Sequence, residues 1–291
     1  MSRPGSLLNP SFEARVTGKP AGGCGWGWWS VARFGLFTVL IAGLLSALAV
    51  PWVTLSWWLV FRRCVSIGAA LSLWICTRWL EHRPLGAYGL VSLRAGKRDL
   101  MFGVILGAAT LGILLSFGLA TGACQLGVTP DRVRLWRTAL GFLPAAALVG
   151  VLEELVFRGF LLQHLLSCSK TTAVLTSSLV YSLVHLKTTS VILATWLELG
   201  GLFLLGGILA LSYLRTGRLY LAIGLHAALA YGARVNKLVV QFPDPSWMWL
   251  VGSNRLVNGL AGWGALMGMG CAIVAWTRRS RQGGALHANS A

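Results

Sequence analysis

The stretch GVLEELVFRGFLLQHLL, residues 150–166, sets two adjacent acids, Glu153 and Glu154, and one arginine, Arg158, inside an otherwise apolar run. The whole chain has only eight Asp and Glu residues, so two side by side in such a run need a physical reason. The apolar neighbours predict a buried helix. On a helix, Glu154 and Arg158 are four apart and share a face, so they can pair. Arg158 is a permanent cation, and pairing with it makes Glu154 structural. Glu153 is five residues from Arg158, about 140° around the helix. It points elsewhere, and an unpaired buried carboxylate is suited to general-base work.

Working outward, the composition says what surrounds this run. The chain is 56% hydrophobic and 11% charged, with a mean hydropathy of +0.70. Soluble domains average about 25% charged residues, so this is a membrane composition. A spanning helix needs ~20 mostly apolar residues. Eight such runs lie near 34–50, 64–80, 100–120, 139–164, 173–187, 191–214, 219–237 and 257–277. The expected fold is an all-α, polytopic membrane helical bundle of about eight transmembrane helices. It would occupy residues 31–278. Residues 1–30 and 279–291, rich in Gly, Ser, Ala and Arg, are expected as disordered tails.

The net charge of +17 would suggest nucleic acid in a soluble protein. Here it reads as basic loops flanking spans, with no nucleic-acid partner expected. With eight spans, fifteen Lys and Arg fall on the side of the N-terminus and nine on the other. The positive-inside rule then puts both termini in the cytoplasm. Trp26, Trp28 and Trp29, then Trp57 and Trp58, then Trp247 and Trp249 stand where interfacial aromatics mark headgroup depth. Residues 1–25 lack the apolar core of a cleavable signal, so the first span is expected to serve as its own insertion signal. The six cysteines (24, 64, 76, 124, 168, 271) form no C-x-x-C pair and read as small apolar packing residues. The 36 glycines point to close helix packing. No internal repeat, Walker loop or H-E-x-x-H stands in the chain.

A charge at mid-bilayer costs ~2.5–3.5 kcal/mol on insertion scales, so intramembrane ionisable groups are functional candidates. They are Glu153, Glu154, Arg158, His164, His185, Glu198 and His226. His185 lies in LVYSLVHLK and His226 in AIGLHAALAYG, both without an obvious local partner. A lone membrane histidine usually packs or hydrogen-bonds. Two of them, with a spare glutamate and an ion pair on separate spans, point instead to a site. His164 is expected near the interface. Glu198 is expected near the membrane edge, after Thr188, Thr189 and Ser190.

Three short motifs carry a resemblance. EELVFR (153–158) has the form E-E-x-x-x-R, YSLVH (181–185) resembles F-x-x-x-H, and HAALA (226–230) stands in the place of H-x-x-x-N. In this order they resemble the motifs of the CAAX-protease and bacteriocin-processing family, which includes CAAX endopeptidases and bacterial Abi proteins. EHRPLGAYGL (81–90) is similar to the segment ahead of that family's catalytic core. The resemblance covers roughly residues 75–275, with the motif core at 139–232. It implies an all-helical intramembrane endopeptidase acting on a peptide or membrane-protein substrate. It also implies Glu153 as base, Glu154 paired with Arg158, His185 holding the water and His226 stabilising the oxyanion.

Two positions depart from the pattern. Tyr181 replaces a phenylalanine, and Ala230 stands where an asparagine is expected. Losing an oxyanion donor typically costs ~2.7–4 kcal/mol in the barrier. Asn236, about 15 Å further along the helix, is a poor substitute. Tyr231 is the candidate to supply a hydroxyl, although it points ~100° away from position 230. No cofactor is expected. The alternative is a zinc site built from Glu153, His185 and His226. Ala230 favours a different class, a proteolytically inactive scaffold or bacteriocin-immunity protein. A proton-coupled transporter is a third class, against which the polar residues cluster in one half of the chain and no inverted repeat stands. The expected location is integral to a membrane, as in a bacterial inner (cell) membrane.

Overall fold

The apolar runs fold as helices because a bilayer offers the backbone no other hydrogen-bond partners. The computed structural model describes residues 23–185, 192–253 and 258–288. In chain order the helices are α1 (Gly23–Ala49), α2 (Trp57–Ile75), α3 (Leu93–Ala120), α4 (Arg132–Glu154) and α5 (Gln163–Leu165). They continue as α6 (Lys170–His185), α7 (Ile192–Thr216), α8 (Tyr220–Val239), α9 (Met248–Val251) and α10 (Leu260–Ala288). A π-helical segment, Leu155–Leu162, joins α4 to α5 without a break, and a second one, Cys76–Leu80, ends α2. The short strands β1 (Gln125–Leu126) and β2 (Val240–Gln241) pair antiparallel outside the helices. The fold is an all-α polytopic bundle.

Six helical stretches among the described residues are long and apolar enough to span a membrane: Gly23–Trp52, Trp57–Leu80, Leu85–Ala120, Arg132–Leu165, Ile192–Thr216 and Leu260–Arg279. The other two expected spans are real helices that fall short by that measure. α6 has 16 residues rich in Ser and Thr, and the end of its expected run lies outside the described residues. α8 has 20 residues but carries His226, Arg234 and Lys237. Length and composition therefore support six of the eight expected spans among the described residues.

The expected tail boundaries also differ from the helix ends. α1 begins at Gly23 and α10 continues to Ala288, while residues 1–22 and 289–291 lie outside the described residues. Each further residue of an existing helix adds a backbone bond, so a helix outlasts its apolar run.

α8 is the packing centre, held between α3 and α4. A Cβ on Gly103 would come 2.4 Å from the Leu221 carbonyl oxygen, and one on Gly224 would come 2.3 Å from that of Leu100. The α3–α8 contact is thus backbone on backbone, which only glycine permits. On the opposite side, Gly150 of α4 leaves room for the Ile223 carbonyl and Ala227. These approaches bring the residues before and after position 225 against α4, where the acids stand.

The cysteine reading needs correction. Cys64, Cys76 and Cys124 are buried as expected, but Cys24 and Cys168 form a disulfide across 144 residues. α1 starts over the turn that follows α5, and Gly27 sits against the His164 carbonyl. Sequence spacing carries no sign of a contact between elements this far apart. At the same end of the bundle, Gln163 donates to the Ala87 carbonyl, Leu219 N–H to the Gly89 carbonyl and Arg215 to Thr277. α1 therefore begins, and α10 leaves the bundle, at one and the same end.

Candidate active site

Glu153 and Glu154 close the last turn of α4, immediately before the π segment. π turns are uncommon and recur at functional sites, because the i→i+5 bonding displaces side chains from the ordinary helical register. Seven of the eight residues in this one are buried, Arg158 among them.

Glu154 is fully buried, and its Oε1 accepts two hydrogen bonds. One comes from Arg158 Nη1 at 3.0 Å, the pair expected from the spacing. The other comes from His226 Nδ1 at 2.7 Å, which the spacing did not suggest. Arg158 is anchored further by donating from Nη2 to the Gly206 carbonyl at 3.1 Å, and its guanidinium lies 4.7 Å from the Tyr181 ring centre. A buried arginine thus has a counter-charge, a carbonyl and an aromatic face. Glu154 does more than pair: it is also the orienting group for His226.

Glu153 is not unpaired. Its Oε2 lies 2.9 Å from His185 Nε2 and 3.5 Å from His226 Nε2. His185 donates Nδ1–H to the Tyr181 carbonyl at 2.9 Å, while His226 donates Nδ1–H to Glu154. Both imidazoles therefore commit Nδ1 and aim Nε2 at one carboxylate oxygen. Two ring nitrogens and one carboxylate oxygen thus meet at a single point between α4, α6 and α8. The Glu153 and His185 side chains keep 29% and 26% of their surface accessible, against 7% for His226. That partial opening leaves room for a reactant beside the carboxylate.

Tyr181 was expected as a mild replacement for phenylalanine. Its ring is 2% exposed and packs at 4.3 Å on His185, 5.2 Å on Phe157 and edge-on at 6.0 Å on His226. It fills the wall that holds both imidazoles. Tyr231, the candidate replacement donor, is elsewhere. Its hydroxyl donates to the Ala139 carbonyl at 2.9 Å, and Ala139 stands about 20 Å of helix rise before Glu153. The register of α8 against antiparallel α4 carries Tyr231 away from the acids. Ala230 is half-buried, one turn beyond His226.

His164 belongs to a separate group. It is buried, donates from Nδ1 to the Phe160 carbonyl at 2.8 Å and places Nε2 3.0 Å from Glu81 Oε1. Tyr88 donates to the other Glu81 oxygen, and Arg33 lies 3.9 Å away. Burial alone would raise the Glu81 carboxyl, but His164, Tyr88 and Arg83 together outweigh it and hold it below the usual carboxylate range. Glu198 is buried on α7; Thr188, Thr189 and Ser190 lie outside the described residues. Among the described residues, no group of three or more His, Cys, Asp or Glu side chains has the arrangement of a metal cage.

Residues 135–231 match the family model described as type II CAAX prenyl endopeptidase Rce1-like. The segment that holds the site is thus similar to that family over about a third of the chain. All three motifs that carried the resemblance fall inside it, the first across the end of α4 and the π segment, the others on α6 and α8. No curated protein matches the chain. Its spanning helices make this an integral membrane protein.

Proposed function

We propose that this protein is an intramembrane endopeptidase that hydrolyses a peptide bond in a membrane-associated protein or peptide. The observation that carries the reading is the convergence of two Nδ1-committed imidazoles on Glu153. A water beside Glu153 and His185 loses its proton to that pair as it attacks the peptide carbonyl. His226 donates from Nε2 to the developing oxyanion only when it carries its second proton, and the Glu154 carboxylate is the counter-charge for that state. Arg158 fixes Glu154, so the acids divide the work between base and orienting group. The proton taken from water then returns to the leaving amine.

Substrate access from the bilayer is supported by an apolar cleft of about 350 Å³ between α6, α7 and α10. It is lined by Leu179, Ser182, Trp196, Phe203 and Trp263, and Ser182 is one turn before His185. We place the protein in a bacterial cell membrane with both termini cytoplasmic, on the balance of basic residues. No cofactor is assigned; a chelator series on the active protein tests that directly. The second reading, an inactive scaffold or immunity protein, rests on Ala230, which offers no oxyanion donor. Cleavage of membrane peptides by purified protein, wild type against Glu153→Gln, tests the proposal. Hydrolysis abolished by Glu153→Gln supports it, whereas no hydrolysis by a folded wild type favours the scaffold.

A further inference from the structure

A second place in the molecule is built for a ligand, at the end of the bundle where α3 begins. A cavity of about 410 Å³ is lined there by Arg94, Lys97, Arg98, Asp99, Arg218 and Trp276. Three features give it a chemistry.

The first is uncompensated charge. The N-terminus of a helix carries about half a positive charge, and acids are favoured in its first turn. α3 has no acid in its first turn, where Arg94 stands, and Lys97 and Arg98 follow in the second turn. The one acid of the lining, buried Asp99, is already taken by Arg218 Nη2 at 2.7 Å. Arg94 therefore adds to a like-signed helix end, and Lys97 and Arg98 extend the positive charge by one more turn. A solvated surface would relieve this by mixing signs, whereas a bound anion relieves it directly.

The second is depth. Leu93 and Met101 flank the basic residues and are 58% and 62% exposed, so lipid-facing apolar surface begins beside the cavity. Trp276 stacks on Phe102 with ring centres 4.3 Å apart, an aromatic at the level of the headgroups. The third is size: the volume accommodates a phosphate with its glycerol, and arginine forks match phosphate geometry.

We propose that this cavity binds the phosphate of an anionic phospholipid headgroup, with Arg94, Lys97 and Arg98 as its ligands and the Asp99–Arg218 pair as its floor. Basic pockets between spanning helices recognise such headgroups, at roughly 1 kcal/mol per Lys or Arg.

The test is native mass spectrometry of the purified protein exchanged into mixed phosphatidylglycerol and phosphatidylcholine. The wild type is expected to retain one phosphatidylglycerol with a preference on the order of a hundredfold, about fivefold for each of three charges. Lys97→Gln and Arg98→Gln, both at exposed side chains, are each expected to lower it about fivefold with an unchanged unfolding midpoint. Arg78→Gln with Arg279→Gln, two exposed cations outside the cavity at the same end, should leave the preference unchanged. No preference in the wild type overturns the proposal. Equal loss in the Arg78/Arg279 control also overturns it, because the attraction is then diffuse. Displacement of the lipid by millimolar inorganic phosphate or glycerophosphate would assign the cavity to a free phosphate and overturn the lipid reading.

Discussion

Glu153 and Glu154 are chemically identical and adjacent, yet one shares its oxygen with two imidazoles and the other with an arginine and an imidazole. Their substitutions should therefore differ. Glu153→Gln keeps the side-chain shape at a partly accessible position, so folded yield and unfolding midpoint should stay near wild type while hydrolysis is lost. Glu154→Gln leaves Arg158 without its counter-charge in a buried place, a change that costs ~3–5 kcal/mol. It also removes the counter-charge for the doubly protonated His226, so both stability and activity should fall. Equal midpoints for the two variants in thermal unfolding would contradict this division. Ala230→Asn adds a donor one turn from His226. It is expected to raise kcat by up to ~10²–10³ with KM nearly unchanged, since an oxyanion donor acts in the transition state. Steady-state kinetics showing a change in KM alone would place position 230 outside the site. At this scale the sequence was informative about which residues meet. The i,i+4 pair of Glu154 and Arg158 was legible because helical spacing encodes it. The hydrogen bond from His226 to Glu154 was not, because it depends on how α8 docks on α4. Tyr231 failed for the same reason: its neighbour in sequence is the gap at Ala230, but its neighbour in space is Ala139.

The helices themselves were legible from apolar runs, and the π segment within them was not. Nothing in LVFRGFLL marks a wider turn, because i→i+5 bonding is set by what packs around it. The same holds for the glycines: their number suggested close packing, but only the contact of α3 with α8 says which matter. Gly103 is one of them. In Gly103→Ala the new Cβ meets the Leu221 backbone oxygen at 2.4 Å, so α3 and α8 must part. Overpacking of this kind costs ~1–3 kcal/mol. His226 rides on α8, so activity should fall along with the unfolding midpoint. Gly112→Ala, on the same helix with open space around it, is the control and should change neither. A lowered midpoint with full activity in Gly103→Ala would show that α8 positions His226 independently of α3.

Across the whole molecule, the charge balance of the sequence and a disulfide of the structure pull in opposite directions. The basic residues gather at the end where α1 begins, and the positive-inside rule puts that end in the cytoplasm. The Cys24–Cys168 disulfide lies at the same end, and disulfides persist mainly in oxidising compartments. If both termini are cytoplasmic, as proposed, these two cysteines are expected to be reduced in the growing cell and to form the disulfide only on oxidation. Reporter fusions at residues 20 and 285 should both give the cytoplasmic signal, and alkylation in growing cells should then modify both cysteines. A disulfide that resists alkylation, with both reporters silent inside, would reverse the orientation.

Glu153, held between His185 and His226, is proposed as the base of a peptide hydrolase. Cleavage of a panel of membrane-inserted peptides by purified wild-type and Glu153→Gln protein, with product masses read by mass spectrometry, tests this role. The expected result is a single defined cleavage by the wild type and none by Glu153→Gln at an equal unfolding midpoint. Undiminished cleavage by a folded Glu153→Gln protein would contradict it.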